Sequence, residues 1–350
     1  MSFRFGIIGA GWYGCHIASS FRALGFDVTV FDKENTILSR ASGNNQFRLH
    51  QGFHYARNYR TRVQSRDGYM RFIERYPTLS DKVETNLYAV PNQDSLIDYL
   101  TYRLIMTSSG IEFREVDPEL YFLNHCSGVL LTDERVLRTK MAREFFSRRL
   151  EGALRLGDEV ISLEEKGDKV YINGEVFDYV VDATWGGLLP VDLPVFYEPT
   201  LLLYYKSSSV RSYALTMVDG SLCSIYPTDE PDLFTLSSVT YTPLANYTNI
   251  QDARRHIELI DEESITEKRK LMELQISRYY PHFSEDFEYV SPQFSIKTKI
   301  TGATDDRSCY ISKQGRCFVV MSGKIDTIFY ASEAILSMIE NENEIQVIRS

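Results

Sequence analysis

Gly9, Gly11 and Gly14 stand inside FGIIGAGWYGCHIASSFRALGFDVTVFD, residues 5 to 32, and Asp32 closes the stretch. A G-x-G-x-x-G triplet at this spacing suits a pyrophosphate: Gly9 makes a tight turn, Gly11 admits the diphosphate to the backbone, and Gly14 lets a helix lie close on a strand. The first helical residues, Trp12 and Tyr13, present N–H groups and the positive end of the helix dipole to the phosphates. Asp32 falls about 20 residues further on, where a carboxylate holds a ribose hydroxyl, with Lys33 beside it. The pattern therefore points to an adenine dinucleotide, and the acid disfavours a 2′-phosphate.

Elements of the right kind flank the triplet. An apolar run, Phe5 to Ile8, precedes it and a β-branched run, Val28 to Phe31, ends on Asp32, so the order is strand, turn, helix, strand. The chain of 350 residues is 43% apolar and can bury a large core. Its net charge of −10 argues against nucleic acid or an anionic membrane as a general partner. No apolar run approaches the roughly 20 residues of a membrane span. Five scattered cysteines without a CxxC pair suit reduced thiols in the cytoplasm, and the histidines show no metal-ligand spacing, so no metal is expected.

Against the acidic total, Arg40 to Arg75 carries eight arginines and only Asp67 and Glu74. Arg62, Arg66, Arg71 and Arg75 read as a solvated helix face. Arg40, Arg48 and Arg57 lie in a loop rich in glycine and asparagine, where an anion or cofactor is an equal reading. Further on, residues 85 to 90 and 111 to 123 read as strands around a helix at about 93 to 108, and Thr132 to Leu150 reads as a helix capped by Thr132. Glu159 to Leu163, Lys169 to Ile172 and Glu175 to Val181 form a short antiparallel run ending in VVDATWGGL. Residues 194 to 241 read as an antiparallel sheet, Asn249 to Tyr279 as a charged helix, whole or broken near Asp261, and residues 287 to 300 as β. Cys317 to Met321 is an apolar strand, Ser322 to Lys324 a turn, and Ile325 to Ile339 a helix.

This layout resembles the FAD-dependent oxidoreductases of the D-amino-acid oxidase type, among them sarcosine oxidase and glycine oxidase. Gly9, Gly11, Gly14 and Asp32 match the FAD fingerprint. RASGNN, residues 40 to 45, is similar to the family's second block; the resemblance places Arg40, Ser42, Asn44 and Asn45 beside the cofactor. Val181 to Gly186 is similar to a block written Val-Asn-Ala-Thr-Gly, with Asp182 for Asn, which brings Thr184 and Trp185 to the flavin. SGKIDT stands at the last glycine-rich turn and contributes Gly323, Lys324 and Ile325. Reduced flavin is negative around N1, so Lys324 would serve there as a cation.

The fold so implied is α/β: a Rossmann-like FAD-binding domain (1–80, 130–190 and 301–350) with an interleaved antiparallel β-sheet substrate domain (81–129 and 191–300). The implied function is oxidation of a C–N or C–O bond of a small polar, anionic metabolite by hydride transfer to flavin. Arg48, Tyr55, Tyr205, Lys297 and Arg307 are the residues expected to grip the substrate, with Tyr204 as a further sheet aromatic. His50, His54 and Tyr226 are expected, with Lys324, to act on its protons and charge. Two rivals share the first 32 residues: an NAD-dependent dehydrogenase, and a flavin-dependent sugar mutase or binding protein without net redox turnover.

Overall fold

The computed structural model describes residues 3–302, 307–321 and 324–349, and the chain divides into two compact units. The first comprises residues 1–43, 140–195 and 307–350. Its six-stranded sheet runs in the order Tyr310–Gln314, Cys317–Met321, Tyr179–Asp182, Arg4–Ile8, Asp27–Asp32, Leu154–Leu156. All neighbours are parallel except the first pair, whose two-residue connection at Gly315 and Arg316 makes it a hairpin. Phe5, between Val28 and Tyr179, is fully buried, and its ring meets those of Phe21 and Phe26. The helices Trp12–Ala23 and Ile328–Arg349 meet where His16 lies edge-on to Phe329 and its Nε2 is 3.3 Å from Ser332 Oγ. A three-stranded sheet, residues 163–166, 169–172 and 175–177, packs Ile172 and Phe177 against Ile8 and Phe31. A Cβ on Gly6 would lie 2.4 Å from Ile172 Cδ1, so glycine is what permits that contact.

The second unit comprises residues 44–139 and 196–306. Residues 44–80 and 130–139, assigned above to the cofactor domain, group here, because Arg48–Leu49 and Ser80–Lys82 both pair with Arg135–Leu137. An eight-stranded sheet has the order Glu288–Ile300, Val195–Lys206, Leu233–Ser238, Cys223–Pro227, Tyr213–Met217, Thr85–Pro91, Cys126–Thr132, Arg114–Val116. The strands within residues 195–238 pair antiparallel as read, and Tyr213–Met217 also runs parallel to Thr85–Pro91. Side chains alternate across the strands: Leu87, Leu203, Leu215, Ile225 and Leu236 share one core with Ile265, Met272 and Ile276 of the helix Glu262–Tyr279.

Three further expectations are corrected. Residues 132 to 138 are not helical: Thr132 ends a strand, Arg135–Leu137 forms another, and the helix begins at Thr139. Val136 and Leu137 are buried in that strand, a tertiary demand stronger than the helical signal of the acids beside them. Between 111 and 123 only Arg114–Val116 is strand; Pro118, which lacks an N–H, opens a turn capped by Asp117. The helix after residue 93 starts at Tyr99, with Asp98 accepting from the Thr101 N–H. The charged stretch takes the broken form of its two readings, the second helix being capped by Asp261. No described helix is long and apolar enough to cross a membrane.

Candidate active site

In the first unit the glycine turn is held from several sides. Gly9 has φ +98°, and its N–H donates to Phe31 O at 2.8 Å. A Cβ on Gly14 would stand 1.8 Å from Gly9 O, so the helix and turn touch backbone to backbone. Asp32 accepts from the Ala10 N–H at 2.6 Å and from the Glu34 N–H at 2.8 Å, which orients the carboxylate and leaves lone pairs for a ribose. Ser42 Oγ accepts from the Trp12 N–H at 3.1 Å and covers Gly11, where a Cβ would come within 2.9 Å of it. The helix's own N-cap, Gly11, makes no side-chain bond and no acid stands in the first turn, so no negative charge of the helix itself competes with a phosphate at its positive end.

The loop bearing Ser42 is fastened by a residue the sequence did not single out. Arg143 donates from Nη2 to Leu38 O at 3.0 Å and from Nε to Ile37 O at 3.3 Å, while the Leu38 N–H donates to Ala10 O at 3.0 Å. Of the other residues expected at the cofactor, Arg40 is exposed and paired with Glu34, and Lys33 lies 3.8 Å from Glu159. Asn44 and Asn45 fall in the second unit.

Asp182 explains its place in VVDATWGGL. Its Oδ1 accepts from the Thr184 N–H at 2.8 Å and Oγ–H at 2.6 Å, and its Oδ2 from the Leu189 N–H at 2.8 Å. A carboxylate can take all of these; an asparagine has one acceptor oxygen. The turn so fixed carries Trp185 at φ +68° and Gly186 at φ +77°. Thr184 is thus a brace of the turn. At the carboxy-terminal end the Tyr13 hydroxyl donates to Lys324 O and meets Thr327 Oγ1, tying the first helix to the turn Ile325–Thr327. Lys324 and Ile325 are half-buried there; Gly323 lies outside the described residues. The first turn, the Ser42 loop and the closing turn therefore meet in one unit, and the collisions a Cβ would cause at Gly9, Gly11 and Gly14 fit a pyrophosphate cradle.

In the second unit the sheet face opposite the Leu215 core is polar and nevertheless buried. Thr216 and Thr235 are fully buried, and Ser224 and Gln293 nearly so. Buried polar side chains, unlike exposed apolar ones, call for an explanation. Above them Arg48, 7% exposed, lies with its guanidinium carbon 4.2 Å from the centre of the Tyr226 ring and donates from Nη1 to Thr216 Oγ1 at 2.7 Å. Its Nε and Nη2 have no hydrogen-bond partner among the described residues. Beside it Glu134, fully buried, accepts from the Gln51 N–H and from the Tyr88 hydroxyl at 2.7 Å each, and lies 3.7 Å from His50 Nδ1. His54 and Tyr55 complete a ring cluster, each 5.9 Å from His50 between centroids.

Two expected site residues are reassigned. Tyr205 points into the apolar core against Phe283, its hydroxyl donating to Glu273, so by strand alternation Tyr204 occupies the polar face. Tyr226 donates to Arg135 O at 3.2 Å, and burial holds its phenol well above the usual value; it is the plate under Arg48, not a proton donor. Lys297 and Arg307, both half-buried, belong to different units. Glu134 and Gln293 escaped notice because each is a single polar letter in a stretch whose fold, not spacing, buries it.

The description "FAD dependent oxidoreductase" belongs to the family model that matches residues 4–315. The chain is a member of that family. This oxidoreductase is 54% identical to the FAD-dependent monooxygenase FPY4 of Fusarium mangiferae, over 97% of its own length and 91% of the relative's. Among solved structures it resembles L-alpha-glycerophosphate oxidase from Mycoplasma pneumoniae with FAD bound (TM-score 0.75, 11% identity, 97% and 95% of the two chains). It also resembles glycine oxidase from Geobacillus kaustophilus (TM-score 0.73, 13% identity, 97% and 95%). The oxidoreductase is an FAD enzyme with a Rossmann-like cofactor fold, and the nicotinamide alternative falls.

Burial raises the carboxyls of both Glu134 and Asp182 above their ordinary values of 4.5 and 3.8. Native protein then keeps protons that the unfolded chain has released, so stability of the oxidoreductase falls as pH rises from the ordinary values through the raised ones. Glu134→Gln removes one of these groups and is expected to flatten that limb of the melting temperature against pH; a limb of unchanged slope would show that Glu134 does not titrate there.

Proposed function

We propose that the enzyme removes two electrons from a C–H beside nitrogen or oxygen in a small polar substrate whose anionic group Arg48 binds. The observation that carries this reading is the Arg48 guanidinium: buried, stacked on Tyr226, and with Nε and Nη2 still to be paired. These two nitrogens form the edge that grips a carboxylate or phosphate through two parallel bonds. Bound FAD supplies the acceptor for the hydride that leaves carbon. His50 takes the proton from the substrate's hydroxyl or amine at Nε2, and Glu134, facing Nδ1, stabilises the imidazolium. The braces on the glycine turn and on Asp182 would hold the cofactor in the first unit, and the Arg48 plate would hold the substrate's anionic group in the second.

The name of the Fusarium relative favours a second reading, in which an oxygen atom enters the product. Anaerobic bleaching of the bound flavin by 2-hydroxy acids, 2-amino acids and sugar acids, each compared with its methyl ester, tests the first. An acid that bleaches while its ester does not is the expected result, and esters reacting as fast as acids would refute the anion grip. Label from ¹⁸O₂ in the product, rather than release of peroxide, would decide for the second reading.

A further inference from the structure

On the polar face of the sheet, Tyr226, Thr235 and Tyr204 are register partners on three adjacent strands. Their Cα atoms therefore form a row spanning about 10 Å, two strand spacings. At one end is Arg48 over Tyr226; at the other Gln293, 4% exposed, donates from Nε2 to the Tyr204 hydroxyl. The same Nε2 lies 3.5 Å from Asn45 O, which can only accept, so the amide orientation is fixed by its surroundings. That leaves Gln293 Oε1 buried with no hydrogen-bond partner among the described residues. Asn45 and Arg48 stand three residues apart in one segment, so their Cα atoms lie at most about 10 Å apart.

An acceptor left over at one end of a buried row and two donors left over at the other describe a ligand by its complement. Resting on the reading of Arg48 above, we infer that the substrate is bifunctional: an anionic group for Arg48 and, several bonds away, a hydroxyl or amine that donates to Gln293 Oε1. A two-carbon acid such as glycolate is too short to reach both. Gln293 is thus a specificity-determining residue that selects for length and for a terminal donor. A missing donor leaves Oε1 desolvated and unpaired, which costs about tenfold in affinity.

The test uses the FAD-loaded enzyme and three homologous series of straight-chain acids, from two to six carbons, ending in hydroxyl, methoxy or methyl. Binding is read under anaerobic conditions as perturbation of the flavin spectrum and as a rise in melting temperature. At four to six carbons at least one hydroxy acid is expected to bind about tenfold more tightly than its methoxy and methyl counterparts, and Gln293→Leu should abolish that advantage. Equal affinities across the three endings at every length would overturn the inference while leaving the Arg48 reading intact. Failure of every acid to bind, or binding unaffected by Arg48→Met, would overturn the Arg48 reading itself. The wild-type comparison needs no variant to fold.

Discussion

Gly14→Ala is expected to yield an enzyme without bound FAD. The added methyl would stand 1.8 Å from the carbonyl oxygen of Gly9, and the atom it meets is backbone, which has no rotamer to escape into. Helix and strand would have to separate by more than an ångström, moving the helix amino end away from the turn that Gly9 and Asp32 hold in place. Overpacking of this kind costs about 1–3 kcal/mol or more. Here the strain falls where the diphosphate must be gripped. The FAD-to-protein absorbance ratio after desalting should drop to a small fraction of the wild-type value, with a lower melting temperature. Gly11→Ala, which meets only the Ser42 hydroxyl at 2.9 Å, should lose less. A Gly14→Ala enzyme with full flavin content would show that the helix does not lie as close as described.

Arg48→Met is the second large effect. Methionine preserves the apolar contact with Tyr226 but removes the cation, and loss of one member of a buried charge pair with substrate costs about 2–5 kcal/mol. The specificity constant for an acid substrate should fall by about 30-fold to more than 1,000-fold, chiefly through KM. Arg48→Lys should recover only part, since an ammonium cannot supply two parallel donors. FAD content should stay unchanged, because the cradle is held by bonds among Gly9, Ala10, Trp12, Asp32 and Ser42, none of which the change removes. A variant that bound acids as well as the wild type would remove Arg48 from the site.

The cofactor half was legible because its signals are local: three glycines, an acid and two flanking strands lie within 28 consecutive residues, from Phe5 to Asp32. Even there, what fastens the turn came from afar, Ser42 over Gly11, Arg143 under the loop, and Tyr13 reaching Lys324 across more than 300 residues of chain. The proposed substrate site is made almost wholly of such distant meetings. Arg48 could be suspected from its loop, but its plate, Tyr226, and its anchor, Thr216, are set by register across the sheet. Tyr204 and Tyr205 are adjacent letters of one type, and strand alternation alone sends one to the polar face and the other to the core. Residues 132 to 138 misled for a related reason: DER resembles the first turn of a helix until Glu134 is seen buried beside Tyr88 and His50.

The most direct test of the account is a crystal structure of the FAD-loaded enzyme with a bound carboxylic acid that perturbs the flavin spectrum. The carboxylate is predicted to lie over the Tyr226 end of the sheet with its oxygens on Arg48 Nε and Nη2. A carboxylate held elsewhere, with those two nitrogens paired to protein or water alone, would contradict it.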